Sequence, residues 1–245
     1  MLPTDNITRP ALTQSILGLF AKHWTPGQVK TRLAAGIGTV AATGFHRHCV
    51  RVMLQRLQSV ADARVVCYWP PEHGEQFSRL GDGKWRFSPQ VPGDLGIRMA
   101  AYFQDCFDAG YQRVLLMGTD SPDIPLPYLQ RAIELLETRR LILGPTDDGG
   151  YYLVGARDKV PPIFEEMPWS SPRLWSATLR RLEASRWKRD VDYEFLPAWY
   201  DVDTLSDLKR LYCELLGETA KNDALTNLRR HVESALKVKP ASSIS

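Results

Sequence analysis

The 245-residue sequence has no long hydrophobic run. Its first apolar stretch, Ile16 to Ala21, is too short for a membrane span or a signal core, and Met1 to Pro10 ahead of it is polar. A cytoplasmic protein is the simplest expectation. The four cysteines, Cys49, Cys67, Cys106 and Cys213, include no close pair. That removes the zinc-ribbon and dithiol redox classes and leaves reduced thiols, mostly in the core. His23, His46, His48, His73 and His231 show no metal-ligand spacing and read as incidental. Charge of one sign is never gathered into a block. With 31 basic and 28 acidic residues interspersed and a net charge of +3, no nucleic-acid surface is expected. A Walker A loop is missing too, because Val29 rather than glycine precedes Lys30 and the motif's first glycine is absent.

No internal repeat or low-complexity linker divides the chain. At 44% hydrophobic and 24% charged residues it has the apolar material for a substantial core. We therefore expect one domain over 15–236, preceded by an extension over 1–14 and followed by a tail over 237–245. Within that domain strand and helix signals alternate. Strands are expected at Ser15 to Ala21, Ala63 to Trp69, Trp85 to Ser88, Arg113 to Met117, Leu141 to Leu143 and Tyr151 to Val154, with a last one over Phe195 to Tyr200. After the loop Lys22 to Leu33, a helix stripe is carried by Val40, Ala41, Phe45, Cys49, Val52, Met53 and Leu57. Further helices are expected near His73 to Arg79, over Leu95 to Ala109, along Leu126 to Leu136, after Ser170-Ser171-Pro172, and after Thr204, which with Asp207 forms a capping-box pattern. This alternation predicts an α/β fold with a mainly parallel sheet covered on both faces.

Acids stand just past two of the strand signals. Thr119-Asp120-Ser121-Pro122-Asp123 follows Val114 to Met117, and Asp201-Val202-Asp203 follows Tyr200. Ligands of open α/β sheets bind outside the carboxyl ends of the strands, and Mg²⁺ takes one or two carboxylates together with phosphate oxygens and water. Asp120 suits that role. Asp123 fits either a ligand or a helix N-cap. Asp201 and Asp203, spaced by one residue, suit chelation, and helix entry is the alternative. The loop containing Pro26-Gly27 and Lys30-Thr31-Arg32 brings cations and backbone donors to the end of the first strand, as a phosphate cradle or as an ordinary helix start. Asp147-Asp148-Gly149-Gly150 offers carboxylates and close backbone approach, although a surface turn needs the same residues. Tyr151 and Tyr152 alternate, so at most one faces a cleft. Trp169 lines a sugar or base site or packs in the core.

Read together, Leu19-Phe20-Ala21-Lys22, Pro26 to Leu33, Gly93 to Met99, Gly118 to Asp123, Leu143 to Tyr152 and Tyr200 to Thr204 resemble the bacterial GT-A-type glycosyltransferase group labelled by arsenosugar biosynthesis, within the nucleotide-diphospho-sugar transferase superfamily. The resemblance spans about residues 15 to 212. It implies a three-layer αβα Rossmann-like GT-A fold with a mainly parallel mixed sheet, and nucleotide-sugar chemistry with Mg²⁺ or Mn²⁺. By position it implies nucleotide and phosphate contacts at Lys22, Lys30, Arg32 and Thr119, and metal contacts at Asp120, Asp201 and Asp203. It also implies a substrate loop at Gly149, Gly150 and Tyr151, with Asp148 as the acid that orients or deprotonates a substrate. His23-Trp24-Thr25 departs from the group's Ala-Pro-x, Ala34-Ala35 from its Ala-Pro, and Thr204-Leu205-Ser206-Asp207-Leu208 from its Thr-Pro-Glu-Asp-Leu. The expected activity is glycosyl transfer from a nucleotide sugar to a small acceptor. A nucleotidyltransferase releasing pyrophosphate and a noncatalytic nucleotide-binding module are the alternatives.

Overall fold

The computed structural model describes residues 14–217 and 223–237, so the extension and the tail expected at the two ends lie almost wholly outside the described residues. The first strand, β1 (Ser15–Lys22), is a continuous apolar run bounded by polar residues, as a strand buried on both faces must be. It pairs in parallel with β2 (Ala63–Trp69) on one side and with β4 (Arg113–Met117) on the other. After α3 (Gly74–Ser78), short β3 (Arg86–Pro89) extends the β2 edge, again in parallel. Beyond β4 lie β6 (Tyr151–Arg157), β5 (Leu141–Pro145) and β7 (Tyr193–Phe195), giving the order β3-β2-β1-β4-β6-β5-β7. Strand β6 alone runs against its neighbours, antiparallel to both β4 and β5. The fold is therefore the expected αβα arrangement with a mainly parallel mixed sheet.

Side chains that alternate along each strand feed two separate cores. Leu17, Leu19, Leu115 and Met117 point to the face covered by α2 (Thr39–Arg56) and α5 (Leu126–Leu135). Ile16, Val114 and Leu116 point to the face covered by α4 (Leu95–Asp108) and α6 (Leu174–Ala184). A third cluster joins α1 (Thr31–Ile37) and α2 to α7 (Leu205–Gly217) and α8 (Asp223–Lys237). Cys49, Cys67 and Cys106 are buried and Cys213 is exposed. No helix among the described residues is long and apolar enough to cross a membrane.

Caps set several boundaries. The Asp94 carboxylate accepts from the Ile97 N–H at 2.9 Å and starts α4. At α7 the Thr204 N–H donates to Asp207 at 2.8 Å and the Asp207 N–H donates back to the Thr204 hydroxyl, which closes the expected capping box.

Three local expectations are corrected. The last strand stops at Phe195 instead of running on to Tyr200, because Pro197 has no N–H to continue a ladder; only Trp199 bridges back, to Thr146. Helix α1 begins at Thr31, inside the segment expected as loop, and Gly38 at φ 84° separates it from α2. Val40, assigned to the apolar stripe of α2, is 84% exposed. It stands two residues from buried Ala42, about 200° around the helix, and so faces away.

Candidate active site

Chain order along the sheet reverses between β1 and β4: the connections from β1 lead outward to β2 and β3, and β4 returns on the other side of β1. Such a switch point opens a crevice at the carboxyl ends of the two strands. Asp120 leaves β4 at this point. The strap 196–203 crosses the same edge, held by Trp199 N–H to Pro145 O at 3.1 Å, Asp147 N–H to Trp199 O at 3.2 Å and Val202 N–H to Asp120 O at 2.9 Å. Acids that are about eighty positions apart in sequence are thereby stitched together through their backbones.

Lys30 sits between them. It adopts a left-handed conformation (φ 48°) as the residue before α1, and only 3% of its side chain is accessible. Its Nζ lies 2.5 Å from Asp120 Oδ1 and 2.9 Å from Asp203 Oδ1. Burial alone would lower the ammonium's pKa, but the two carboxylates more than reverse it and hold the group protonated. Asp120 is correspondingly lowered against its own burial by Lys30 and then His46, while its side chain stays 40% accessible towards the cleft. Asp201 differs: burial first, then the charge of Asp120, push it up to about 7, although the Ser121 hydroxyl donates to it at 2.7 Å.

A cleft of about 370 Å³ opens from this edge. Asp120 and Asp201 line its head, and Thr146, Asp148, Gly150 and Tyr151 reach it from the β5–β6 hairpin. In the hairpin the Thr146 hydroxyl donates to Asp148 Oδ1 at 2.6 Å, and the Gly150 N–H approaches Thr146 Oγ1 at 3.0 Å. Gly149 is left-handed (φ 91°), and a Cβ there would stand 2.7 Å from the Pro172 carbonyl, so the tight turn and the close approach both require glycine. Tyr151 and Tyr152 pack on opposite faces of the sheet, yet both line the cleft, where at most one was expected, because the cleft opens at the strand ends and reaches both faces. The Tyr151 hydroxyl meets Thr178 at 2.7 Å, burial raising its pKa to about 12, and Tyr152 is buried with its hydroxyl donating to Pro197 O.

The other residues singled out in the sequence are more dispersed. Lys22 is exposed and its Nζ donates to Gln28 O at 2.9 Å, closing the first loop on itself. Arg32 is exposed on the first turn of α1, and Thr119 is buried. Asp123 is not an N-cap: Pro125 holds that position, and the Asp123 carboxylate accepts from the Tyr200 hydroxyl at 2.7 Å. Trp169 combines its two expected fates, packing on the core of one face and lining the cleft. Among the described residues no three His, Cys, Asp or Glu side chains group closely enough to cage a metal; Asp120 and Asp203 both pair with Lys30. His46, read as incidental, is buried with its Nε2 2.8 Å from the Lys22 carbonyl, and burial lowers its pKa. A polar residue on the buried stripe of α2 was the signal for it.

A crystal structure from Desulfovibrio desulfuricans G20, provisionally described as a nucleotide-diphospho-sugar transferase, superposes with a TM-score of 0.82 at 34% identity, covering 92% of this chain and 97% of that one. The model of DUF2064, described as an uncharacterized protein conserved in bacteria, matches residues 53–171. The chain belongs to the DUF2064 family. This DUF2064 protein has the nucleotide-diphospho-sugar transferase fold. It shares that fold at a TM-score of 0.53 with the 4-diphosphocytidyl-2C-methyl-D-erythritol synthase of Anaerococcus prevotii DSM 20548, at 11% identity over 80% of this chain and 94% of that one. A cytidylyltransferase of Leptospira borgpetersenii also matches at 0.53, with 12% identity over 96% and 100%. No curated protein matches the sequence.

Proposed function

We propose that this DUF2064 protein transfers a sugar from a nucleotide diphosphate sugar to a small acceptor with the help of Mg²⁺ or Mn²⁺. The observation that carries this reading is the meeting of Asp120, Asp201, Asp203 and Lys30 at the switch-point edge, at the head of a cleft. The similarity to the Desulfovibrio protein supports the nucleotide-sugar class. Asp120 and Asp201 are hard oxygen donors, and two carboxylates are the number Mg²⁺ takes from a protein when phosphate oxygens and water complete its shell. The residues thus fit an ion held jointly with the substrate. Bound there, the ion would supply charge to stabilise the departing diphosphate.

The chain's own groups do the rest. Lys30 holds a buried positive charge beside the leaving group, pre-oriented by Asp203. Lys22 at the end of β1 and Arg32 on the first turn of α1 offer exposed donors to phosphate oxygens. Asp148 has its Oδ1 fixed by Thr146 and the Gly150 N–H, so it can orient a sugar hydroxyl or take the acceptor's proton. Release of a nucleoside diphosphate from a panel of nucleotide sugars, in the presence of either ion, is the expected result. Asp120→Ala should abolish it while the fold persists.

The nearest rival is a nucleotidyltransferase, which the same acidic edge and the fold shared with the cytidylyltransferase structures suit. Pyrophosphate release from a nucleoside triphosphate would establish it in place of sugar transfer. A noncatalytic module is expected to bind nucleotide without a divalent ion and indifferently to Asp120→Ala.

A further inference from the structure

Resting on the nucleotide-sugar reading, we propose that the second substrate of the cleft is an uncharged or cationic molecule with an apolar or aromatic face, and not a phosphate ester. The charged residues lining the cleft are Asp120, Asp148 and Asp201; among the described residues no lysine, arginine or histidine lines it. The nearest ammonium, Lys30, is engaged by Asp120 and Asp203. Arg210 beside the hairpin is drawn to Asp147 at 3.1 Å and lies over the Tyr200 ring. A phosphate monoester carries close to two negative charges at neutral pH and is normally gripped by arginine or lysine donors. Among the described residues the cleft wall offers none, and with Asp120 and Asp201 taken up by the donor's ion the ester would still meet the Asp148 carboxylate on the hairpin. The volume of about 370 Å³ lies within the range of small-molecule sites.

The remaining wall says what the cleft accepts. Phe20, Leu95, Met99, Tyr151, Trp169 and Leu174 line it. Leu95, the first residue of α4, is left 41% exposed at its rim. The Trp169 indole is seated against Gly96, where a Cβ would stand 2.6 Å from Nε1, so the ring is held in place by packing and not left to swing. An aromatic ring fixed in the wall of a cleft that also carries a carboxylate is the usual platform for a sugar face, an aryl group or an amine.

The test uses the full chain and three matched probes: phenyl glucoside, its 2-amino analogue and its 6-phosphate. Their binding is followed by ligand-observed NMR with Mg²⁺ and a nucleoside diphosphate filling the donor end, and nucleotide-sugar binding is measured separately by calorimetry with Mg²⁺. The neutral and amino probes should bind at least about tenfold more tightly than the phosphate, as like-charge juxtaposition demands. Asp148→Lys, at an exposed position, should narrow that gap, and Trp169→Phe should weaken the phenyl probes. Equal or tighter binding of the phosphate, a gap unmoved by Asp148→Lys, or no binding of any probe overturns the inference. Phosphate preference alongside normal nucleotide-sugar binding overturns this inference alone. Charge selectivity without nucleotide-sugar binding overturns the donor assignment and leaves the cleft's selectivity standing.

Discussion

Removing the Lys30 amine would leave Asp120 and Asp203 facing each other without a cation. Breaking a fully buried ion pair costs about 3–5 kcal/mol, whereas exposed pairs are worth about 0–1. The Lys30 side chain is 3% accessible and its two partners keep 40% and 39%, so Lys30→Met should lie between these limits. We expect a loss of about 1–3 kcal/mol in urea unfolding at neutral pH, and a loss indistinguishable from zero would show the contact to be ornamental. The residues of this cluster were legible in sequence because each acid follows an apolar strand or strap at once and the cation follows the first strand by one short loop. Their partners were not. Ser121 holding Asp201, and His46 reaching the Lys22 carbonyl, are contacts across space that no local spacing encodes.

Helices α2 and α8 meet through two imidazoles, His48 and His231, stacked 8° from parallel with ring centroids 4.5 Å apart. Burial, then His231, depresses His48 to about 4, and burial lowers His231 as well. Arg51 adds positive charge to the same side, and the Asn227 backbone opposes the shift. The unfolded rings titrate near the ordinary value of 6.5, so between about 6.5 and 4 the unfolded chain binds more protons than the folded one. The contribution is therefore complete above pH 6.5 and is lost as pH falls towards 4. Thermal melts across that window should show a steeper fall for the wild type than for His48→Gln; identical slopes would remove the pair as the cause. Element boundaries elsewhere show what periodicity can and cannot carry. The Thr204/Asp207 box marked a helix start in the sequence because capping is a local code. The end of β7 was misplaced because the run to Tyr200 stays aromatic and apolar past Pro197, and in the fold it serves as a strap whose Pro197 carbonyl receives the Tyr152 hydroxyl.

Across the molecule, the sheet is buried on both faces by separate clusters, and Leu115 belongs to the one beneath α2 and α5. It is fully buried beside Gly155 of β6, where a Cβ would stand 2.7 Å from its Cδ2. Leu115→Ala should cost about 2–5 kcal/mol in denaturant unfolding, and a loss below that range would mean the strands can close over the gap. The parallel half of the sheet was legible from helices alternating with strands. The reversal at β6 was legible in principle, because the few residues between Pro145 and Tyr151 cannot span the crossover that a parallel neighbour needs. What that reversal permits is modularity. The tip carrying Asp148 and Gly149 hangs from two adjacent strands like a bracket on a wall, so its length and composition can change without disturbing the ends of β1 and β4, near which Lys30 and Asp120 stand.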